Sequence, residues 1–109
     1  RKIFPFDSRP YILANGMYKQ IQQIDPNLPP PDLQLWASTF SAMIESGYTA
    51  EDIAGTIEAT YQDDFWKTKI SCPDELKRSY SRIHMQHSEE IACTVEGIKR
   101  QRERRAANE

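Results

Sequence analysis

The chain has 109 residues, of which 39% are hydrophobic and 28% are charged, and its formal net charge is −2. These values predict one small domain with a compact core. No apolar run approaches the ~18 residues of a membrane span and no signal peptide is recognisable, so we expect a cytoplasmic protein that contacts no membrane. The chain begins with Arg1 rather than Met, which indicates a piece of a longer protein.

The charge is unevenly distributed along the chain. Residues 1–98 contain nine Lys or Arg and fourteen Asp or Glu, a net −5, whereas residues 99–109 contain five and two, a net +3. A basic tail of this kind is a common contact for nucleic acid, and we expect it to supply most of any such affinity. The alternative is a solvated helix end, where cations suit the dipole. The candidate nucleic-acid-binding residues of the tail are Lys99, Arg100, Arg102, Arg104 and Arg105.

The N-terminal third predicts an extended arm and one helix. Residues 1–9 form the arm, since Pro5 opposes an early helix. A helix follows over about residues 9–24, because its apolar positions recur at three- and four-residue spacings. Asp7 or Ser8 can cap this helix. The apolar side chains that can pin the arm onto the body are Ile3, Phe4 and Phe6.

Two more helices follow a stiff Pro29-Pro30-Pro31 spacer. Asp32 caps the second helix, about residues 33–46, and Gly47 lies where a C-terminal glycine belongs. Thr49 caps the third helix, with Asp52 as the reciprocal acid of a capping box. A short link between two helices is also typical of DNA-reading helix-turn-helix proteins. The third helix, however, carries acids and no Lys or Arg over residues 50–61, so we interpret it as a core helix.

The most informative stretch runs from Tyr61 to Leu76. It places Phe65 and Trp66 side by side near the end of the third helix, and both rings are expected to be buried. Ser71 then begins a fourth helix, with Pro73 in the first turn and Asp74 as the capping acid. Apolar positions continue beyond His87, so we favour one long helix over two helices with a break near His87-Ser88.

These patterns predict an all-α fold: a compact bundle of four to five helices with an extended N-terminal arm and a long C-terminal helix. We divide the chain into a domain at residues 1–87 and a helical extension with the basic tail at residues 88–109. No alternating β pattern occurs. The expected core is Leu13, Met17, Ile21, Leu33, Trp36, Phe40, Ile44, Ile53, Ile57, Tyr61, Phe65, Trp66, Leu76, Tyr80 and Ile83.

The stretch that begins at Tyr61 also resembles a known protein family. Its residues form the pattern Tyr61-x-Asp63-Asp64-Phe65-Trp66-x-x-x-Ile70-Ser71-x-Pro73-x-x-Leu76-x-x-x-Tyr80. Upstream are Pro10-Tyr11-x-Leu13-Ala14-x-x-x-Tyr18, Asp25-Pro26-Asn27, Pro31-x-Leu33-Gln34-x-Trp36-Ala37 and Met43-Ile44. Over about residues 4–87 the chain resembles the C-terminal helical domain of phage replisome organisers and related replication initiation proteins, which are grouped with the DnaD and DnaT primosome components. The resemblance implies contacts with the replicative helicase or its loader, help in remodelling origin DNA, and no catalytic site.

The residues themselves favour no enzyme, cofactor or metal. His84 and His87 are three residues apart, as metal ligands can be, but no further ligand has a matching spacing. We expect one of them to be exposed and the other half-buried. Cys72 and Cys93 lie far apart and are expected to be free thiols. We interpret Asp63 and Asp64 as surface acids or as residues that accept a hydrogen bond from a nearby helix end.

A second basic cluster surrounds the aromatic pair. Residues 78 and 82 are four apart and share a helix face. With Trp66 and Tyr80 nearby, the cluster combines phosphate-binding charge with rings that can stack on the bases of a single strand. A buried Trp66 could not stack, so an ordinary solvated surface is the alternative. The candidate nucleic-acid-binding residues here are Lys67, Lys69, Lys77, Arg78 and Arg82.

An apolar stripe follows on the last helix. Ile91, Val95 and Ile98 are candidate partner-binding residues, because a small body can leave them uncovered and such stripes mark partner surfaces. We therefore expect self-association or a docked partner helix. The function that we infer is a non-enzymatic accessory domain of a phage replication initiation protein, in contact with the helicase or loader and with single-stranded DNA. The alternative is a helical interaction or oligomerisation module without a DNA role.

Overall fold

The computed structural model describes residues 3–108, apart from the side chain of Asn108. The described residues form five α-helices and no strand, so the all-α prediction is confirmed. Residues 1 and 2, the start of the predicted arm, and Glu109 lie outside the described part of the chain. The helices are α1 (Arg9–Ile24), α2 (Leu33–Glu45), α3 (Ala50–Gln62), α4 (Pro73–Gln86) and α5 (Ser88–Asn108).

Local signals set the ends of α2 and α3. The Asp32 carboxylate accepts hydrogen bonds from the backbone N–H groups of the first turn of α2, and the Thr49 hydroxyl accepts one from the N–H of Asp52 at 3.1 Å. Gly47 has a φ of 121°, a conformation that favours glycine. These predictions are confirmed. The reciprocal role of Asp52 is wrong, because its carboxylate faces α4, where Tyr80 donates to it and His84 contacts it.

The central element is α3, which packs against α1, α4 and α5. Nine of its thirteen residues are buried, including Gly55, Thr56 and Thr60 beside the predicted apolar stripe. The two threonine hydroxyls donate to carbonyls one turn back, Thr56 to Asp52 at 2.8 Å and Thr60 to Thr56 at 2.7 Å. Both hydroxyls therefore have a partner within α3 itself, which allows their burial. The interpretation of α3 as a core helix is confirmed.

The expected long C-terminal helix is confirmed as α5, but its expected continuity with α4 is wrong, because the chain breaks at His87-Ser88 as in the alternative. His87 leaves the helical conformation with φ −123° and ψ 27°, and α5 begins at the next residue. The break lets α5 lie beside α3, where Ile91 packs on Gly55. A Cβ atom at Gly55 would lie 3.1 Å from Ile91 Cγ2 and 3.3 Å from Ile91 O, so the glycine permits this approach. Ile91 joins α5 to the body and is 1% exposed.

Most of the expected core is buried, with one error. Phe65 is 58% exposed, whereas Trp66 is 5% exposed. Leu33, Trp36 and Ile44 are only partly buried and pack against the core. Core residues outside the expected list are Phe4, Ala14, Ala37, Met43, Ala50 and Ile70.

Phe4 is the buried residue that pins the N-terminal arm. Its backbone N–H donates to Gln34 Oε1 at 2.8 Å, and Gln34 Nε2 donates back to the Phe4 carbonyl at 3.0 Å. Ile3 is 72% exposed, so the expectation that it also pins the arm is wrong. Phe6 is 78% exposed, but its ring centroid lies 5.1 Å from that of Tyr11 in α1, so it contacts the body at the surface. The Ser8 hydroxyl donates to the Pro5 carbonyl at 2.7 Å and therefore shapes the arm instead of capping α1.

Trp66 is the large aromatic anchor between α3 and α4, and we expect Trp66→Ala to lower the free energy of unfolding by about 3–5 kcal/mol. That is much of the roughly 5–15 kcal/mol that a small domain has. The matched control is Phe65→Ala, which removes an exposed ring and should change stability by about 0.5 kcal/mol or less. Urea unfolding measures both. Equal losses for the two variants would contradict this assignment of inside and outside.

Candidate nucleic-acid interface

The turn after α3 points two adjacent rings in different directions. Asp63 Oδ1 accepts hydrogen bonds from the N–H of Phe65 at 2.7 Å and of Trp66 at 3.1 Å, which fixes the backbone of the turn. The two ring planes are 89° apart, with centroids 5.0 Å from each other. Trp66 enters the core, where its Nε1 donates to Gln86 Oε1 at 2.8 Å. Phe65 is thereby directed to the surface.

The connection to α4 is anchored at both ends. The Tyr61 hydroxyl donates to the Ile70 carbonyl at 2.7 Å, and burial raises the pKa of Tyr61. Ser71 donates to Glu75 Oε1 through its hydroxyl at 2.5 Å and its backbone N–H at 3.0 Å. The side-chain bond from Ser71 leads the interactions that lower the pKa of Glu75. Glu75 is therefore the capping acid, and the expected role of Asp74 is wrong because α4 begins one residue later, with Cys72 as N-cap.

His87 joins the ends of three helices. Its Nε2 lies 2.7 Å from Asp63 Oδ2, and its Nδ1 lies 2.9 Å from Glu90 Oε2. Since both acceptors are carboxylates, both nitrogens donate when the ring is protonated. The bond to Asp63, followed by the bond to Glu90, raises the pKa of His87, and the His87 bond lowers the pKa of Asp63. This cluster holds the turn that presents Phe65.

A strip of cations runs from that turn along α4. Lys69 Nζ lies 4.6 Å from the centroid of the Phe65 ring. Lys69 and Arg78 line one cleft, and Arg78 and Arg82 line the next. All four side chains are exposed. We call Phe65, Lys69, Arg78 and Arg82 the α4 strip. The expectation that residues 78 and 82 share a face is confirmed.

Two predicted members of the basic cluster lie apart from the strip. Lys67 pairs with Asp64 Oδ1 at 3.0 Å. Lys77 lines neither cleft, because it precedes Arg78 by one residue and so lies about 100° around the helix. The sequence had suggested Trp66 and Tyr80 as stacking rings, but both are buried. Phe65 was the missed exposed ring, and neighbouring residues on a turn carry no periodicity that could have separated it from Trp66.

The basic tail is the end of α5 and lies elsewhere. Arg102 pairs with Glu51 in the first turn of α3, so α5 runs antiparallel to α3. The pKa of Glu51 is lowered first by a hydrogen bond from the backbone N–H of Glu51 to its own carboxylate, and then by the Arg102 guanidinium. The tail thus begins near the start of α3, whereas the strip lies on α4 and on the turn that follows α3. The exposed cations of the tail include Lys99, Arg100, Arg104 and Arg105.

The predicted partner stripe on α5 is only partly uncovered. Ile91 is buried against α3, so the expectation that it is available to a partner is wrong. Val95 and Ile98 are half-buried. The stripe that remains for a partner is therefore narrower than the periodicity suggested.

The remaining polar groups hold the fold together. His84 Nε2 lies 2.9 Å from Asp52 Oδ1, and His84 and His87 are both half-buried, so the expectation of one exposed histidine is wrong.

Cys72 and Cys93 are free thiols. Residues 3–108 bring together no group of three or more side chains that could hold a metal ion. None of the helices described has both the length and the apolar character for crossing a membrane.

Comparison with known proteins identifies the class. The model of the family described as phage replication protein O, C-terminal domain, matches residues 12–90. The match covers well over half of the chain and includes α2, α3, α4 and the turn that carries Phe65. The chain therefore belongs to this family and acts in the initiation of phage DNA replication. Searches of curated proteins and of solved structures gave no significant match.

The His87 cluster predicts a fall in stability as the pH rises. The pKa of His87 is higher in the folded protein than its unfolded value of 6.5, so the protonated ring stabilises the fold. This stabilisation is fully present below pH 6.5 and is lost as the pH rises through the folded-state pKa of His87. Urea unfolding from about pH 5.5 to about pH 8.5 measures this loss, and Asp63 stays ionised throughout because its pKa is lowered. His87→Gln should flatten the profile, and Asp63→Asn should reduce its slope. An unchanged slope in His87→Gln would contradict the assignment.

Proposed function

We propose that this domain is a non-enzymatic accessory part of a phage replication initiation protein and binds single-stranded DNA through the α4 strip, in the cytoplasm of the host. The observation that carries the proposal is the strip itself: three exposed cations beside an exposed aromatic ring. Proteins that bind single strands without sequence preference combine these two features. The family supplies the setting in replication.

The distribution of ion pairs supports the strip as a phosphate contact. None of the ion pairs found among residues 3–108 involves Lys69, Arg78 or Arg82. Glu75 lines the cleft of Lys69 and Arg78, and its pKa is lowered first by the hydrogen bond from Ser71 and also by the charge of Arg78, but the two charges form no ion pair. The strip cations are therefore available to phosphate oxygens, which arginine forks bind well.

The polar clusters support a non-enzymatic role. Asp52, Asp63 and His87 each make hydrogen bonds that join one helix to another. Side chains committed to such joints are structural parts of the fold, and moving them to serve a substrate would separate the helices.

A contact with the replicative helicase or its loader is the second part of the proposal. Val95 and Ile98 are half-buried apolar side chains on α5, on the helix that carries the exposed tail cations. The competing function, an oligomerisation or interaction module without a DNA role, would use the same apolar pair. The two functions differ in whether the exposed cations are needed for binding, since only the function with a DNA contact requires them.

The strip predicts a specific salt dependence. Each phosphate contact on a single strand contributes roughly −0.7 to the slope of log affinity against log salt. Arg78→Gln with Arg82→Gln should therefore reduce the slope by about 1.4 and weaken binding to every sequence alike. Fluorescence anisotropy on a labelled single strand across a salt series measures both effects.

Two matched variants complete this experiment. Arg104→Gln with Arg105→Gln removes the same charge from the tail, and Lys19→Gln removes a cation from α1, which contributes nothing to the strip. We expect the tail pair also to reduce the slope and Lys19→Gln to leave it nearly unchanged. If only the tail pair weakens binding, the strip is a solvated surface and the proposal for it fails.

The apolar pair on α5 predicts a protein contact. Val95→Asn with Ile98→Asn should reduce the self-association of the chain in light scattering, or its retention of purified replicative helicase or loader, because an apolar surface would become polar. Ile91 stays unchanged in this variant since its burial supports the fold. Identical mass and identical retention for parent and variant would rule out a contact through these residues.

A further inference from the structure

Phe65 is an exposed ring in a fixed position. Phe65 is 58% exposed, and Trp66 next to it is 5% exposed. Single exposed apolar residues are ordinary on a protein surface, and Phe6 and Met85 are more exposed still, so it is the groups around Phe65 that point to a binding role. The ring is also held in place. Its backbone N–H donates to Asp63, which His87 orients in turn, and its neighbour Trp66 is fixed by Gln86.

The groups around the ring indicate what it binds. The Lys69 ammonium lies 4.6 Å from the ring centroid, and the clefts of Arg78 and Arg82 continue from it along α4. An apolar protein partner that covered Phe65 would have to desolvate these cations, which is costly without paired acids. A nucleotide instead offers a flat base to the ring and a phosphate to the cations.

We propose that Phe65 stacks on a base of single-stranded nucleic acid while Lys69, Arg78 and Arg82 bind the phosphates beside that base. This inference rests on the proposed function and adds how the strand is held. Stacking on a phenyl ring tolerates every base, so the site takes a single strand irrespective of its sequence. A duplex keeps its bases stacked on one another and offers none to the ring.

The test compares Phe65→Leu and Phe65→Trp in the full chain by anisotropy on a labelled oligothymidine. Phe65→Leu should bind about 5- to 10-fold more weakly, because an aliphatic side chain cannot stack. The slope against salt should stay that of the parent, since no charge changes. Phe65→Trp should retain or exceed the affinity of the parent. A thermal melt of each variant confirms that the fold is intact.

A second oligonucleotide isolates the stacking step. A strand of the same length with abasic sugars in place of the bases keeps the phosphates and removes the stacking partner. The parent should bind this strand as weakly as Phe65→Leu binds oligothymidine, and Phe65→Leu should no longer distinguish the two strands. That loss of discrimination is the signature of a ring stacked on a base.

Four results would overturn the inference. If Phe65→Leu binds as tightly as the parent while the Arg78 and Arg82 pair weakens binding, phosphates alone are recognised and the proposed function survives without stacking. If Phe65→Leu lowers the salt slope as the arginine pair does, the ring only supports the strip. If it impairs retention of the helicase or loader but not DNA binding, the ring belongs to a protein contact. Failure of the parent itself to bind either strand would end both the inference and the proposed DNA contact.

Discussion

The fold depends on satisfying the carboxylates of its most buried helix. α3 is covered by α1, α4 and α5, yet it carries acids at both ends. Each acid that meets α4 or α5 finds a donor there: Arg102 for Glu51, Tyr80 and His84 for Asp52, and His87 for Asp63. A buried polar group without a partner costs about 1–3 kcal/mol, and a charged group costs more. These pairings therefore permit α3 to be central, and they fix where α4 and α5 lie.

The same pairings sort the charges of the molecule. Residues 1–98 have a formal charge of −5, which by itself suggests that phosphates are repelled. Asp52 and Asp63, however, face donors on neighbouring helices, whereas Arg78 and Arg82 lie on the exposed side of α4. Exposed charges close to a nucleic-acid strand dominate its binding, because salt largely screens charges that lie more than about 10 Å away. Local charge is thus a better guide to a nucleic-acid contact than net charge.

How far the sequence predicts this structure depends on the range of each signal. The ends of α2 and α3 could be predicted because Asp32, Gly47 and Thr49 act on backbone groups within a few residues. The common face of residues 78 and 82 followed from helical spacing. The exposure of Phe65 could not be predicted, since the choice between two rings depends on Gln86, twenty residues away. The break at His87 likewise depends on Asp63, and Ile91 is buried because Gly55 lets α5 approach α3.

The antiparallel pairing of α3 and α5 has a consequence for how a strand could be held. It places the tail near the start of α3, whereas the α4 strip lies on α4 and on the turn that follows α3. Because α4 and α5 both pack on α3, the fold, rather than a flexible tail, sets the spacing of the two groups of cations. In the proposed function, a strand long enough to span both groups would gain the second as an intramolecular contact with a high effective concentration.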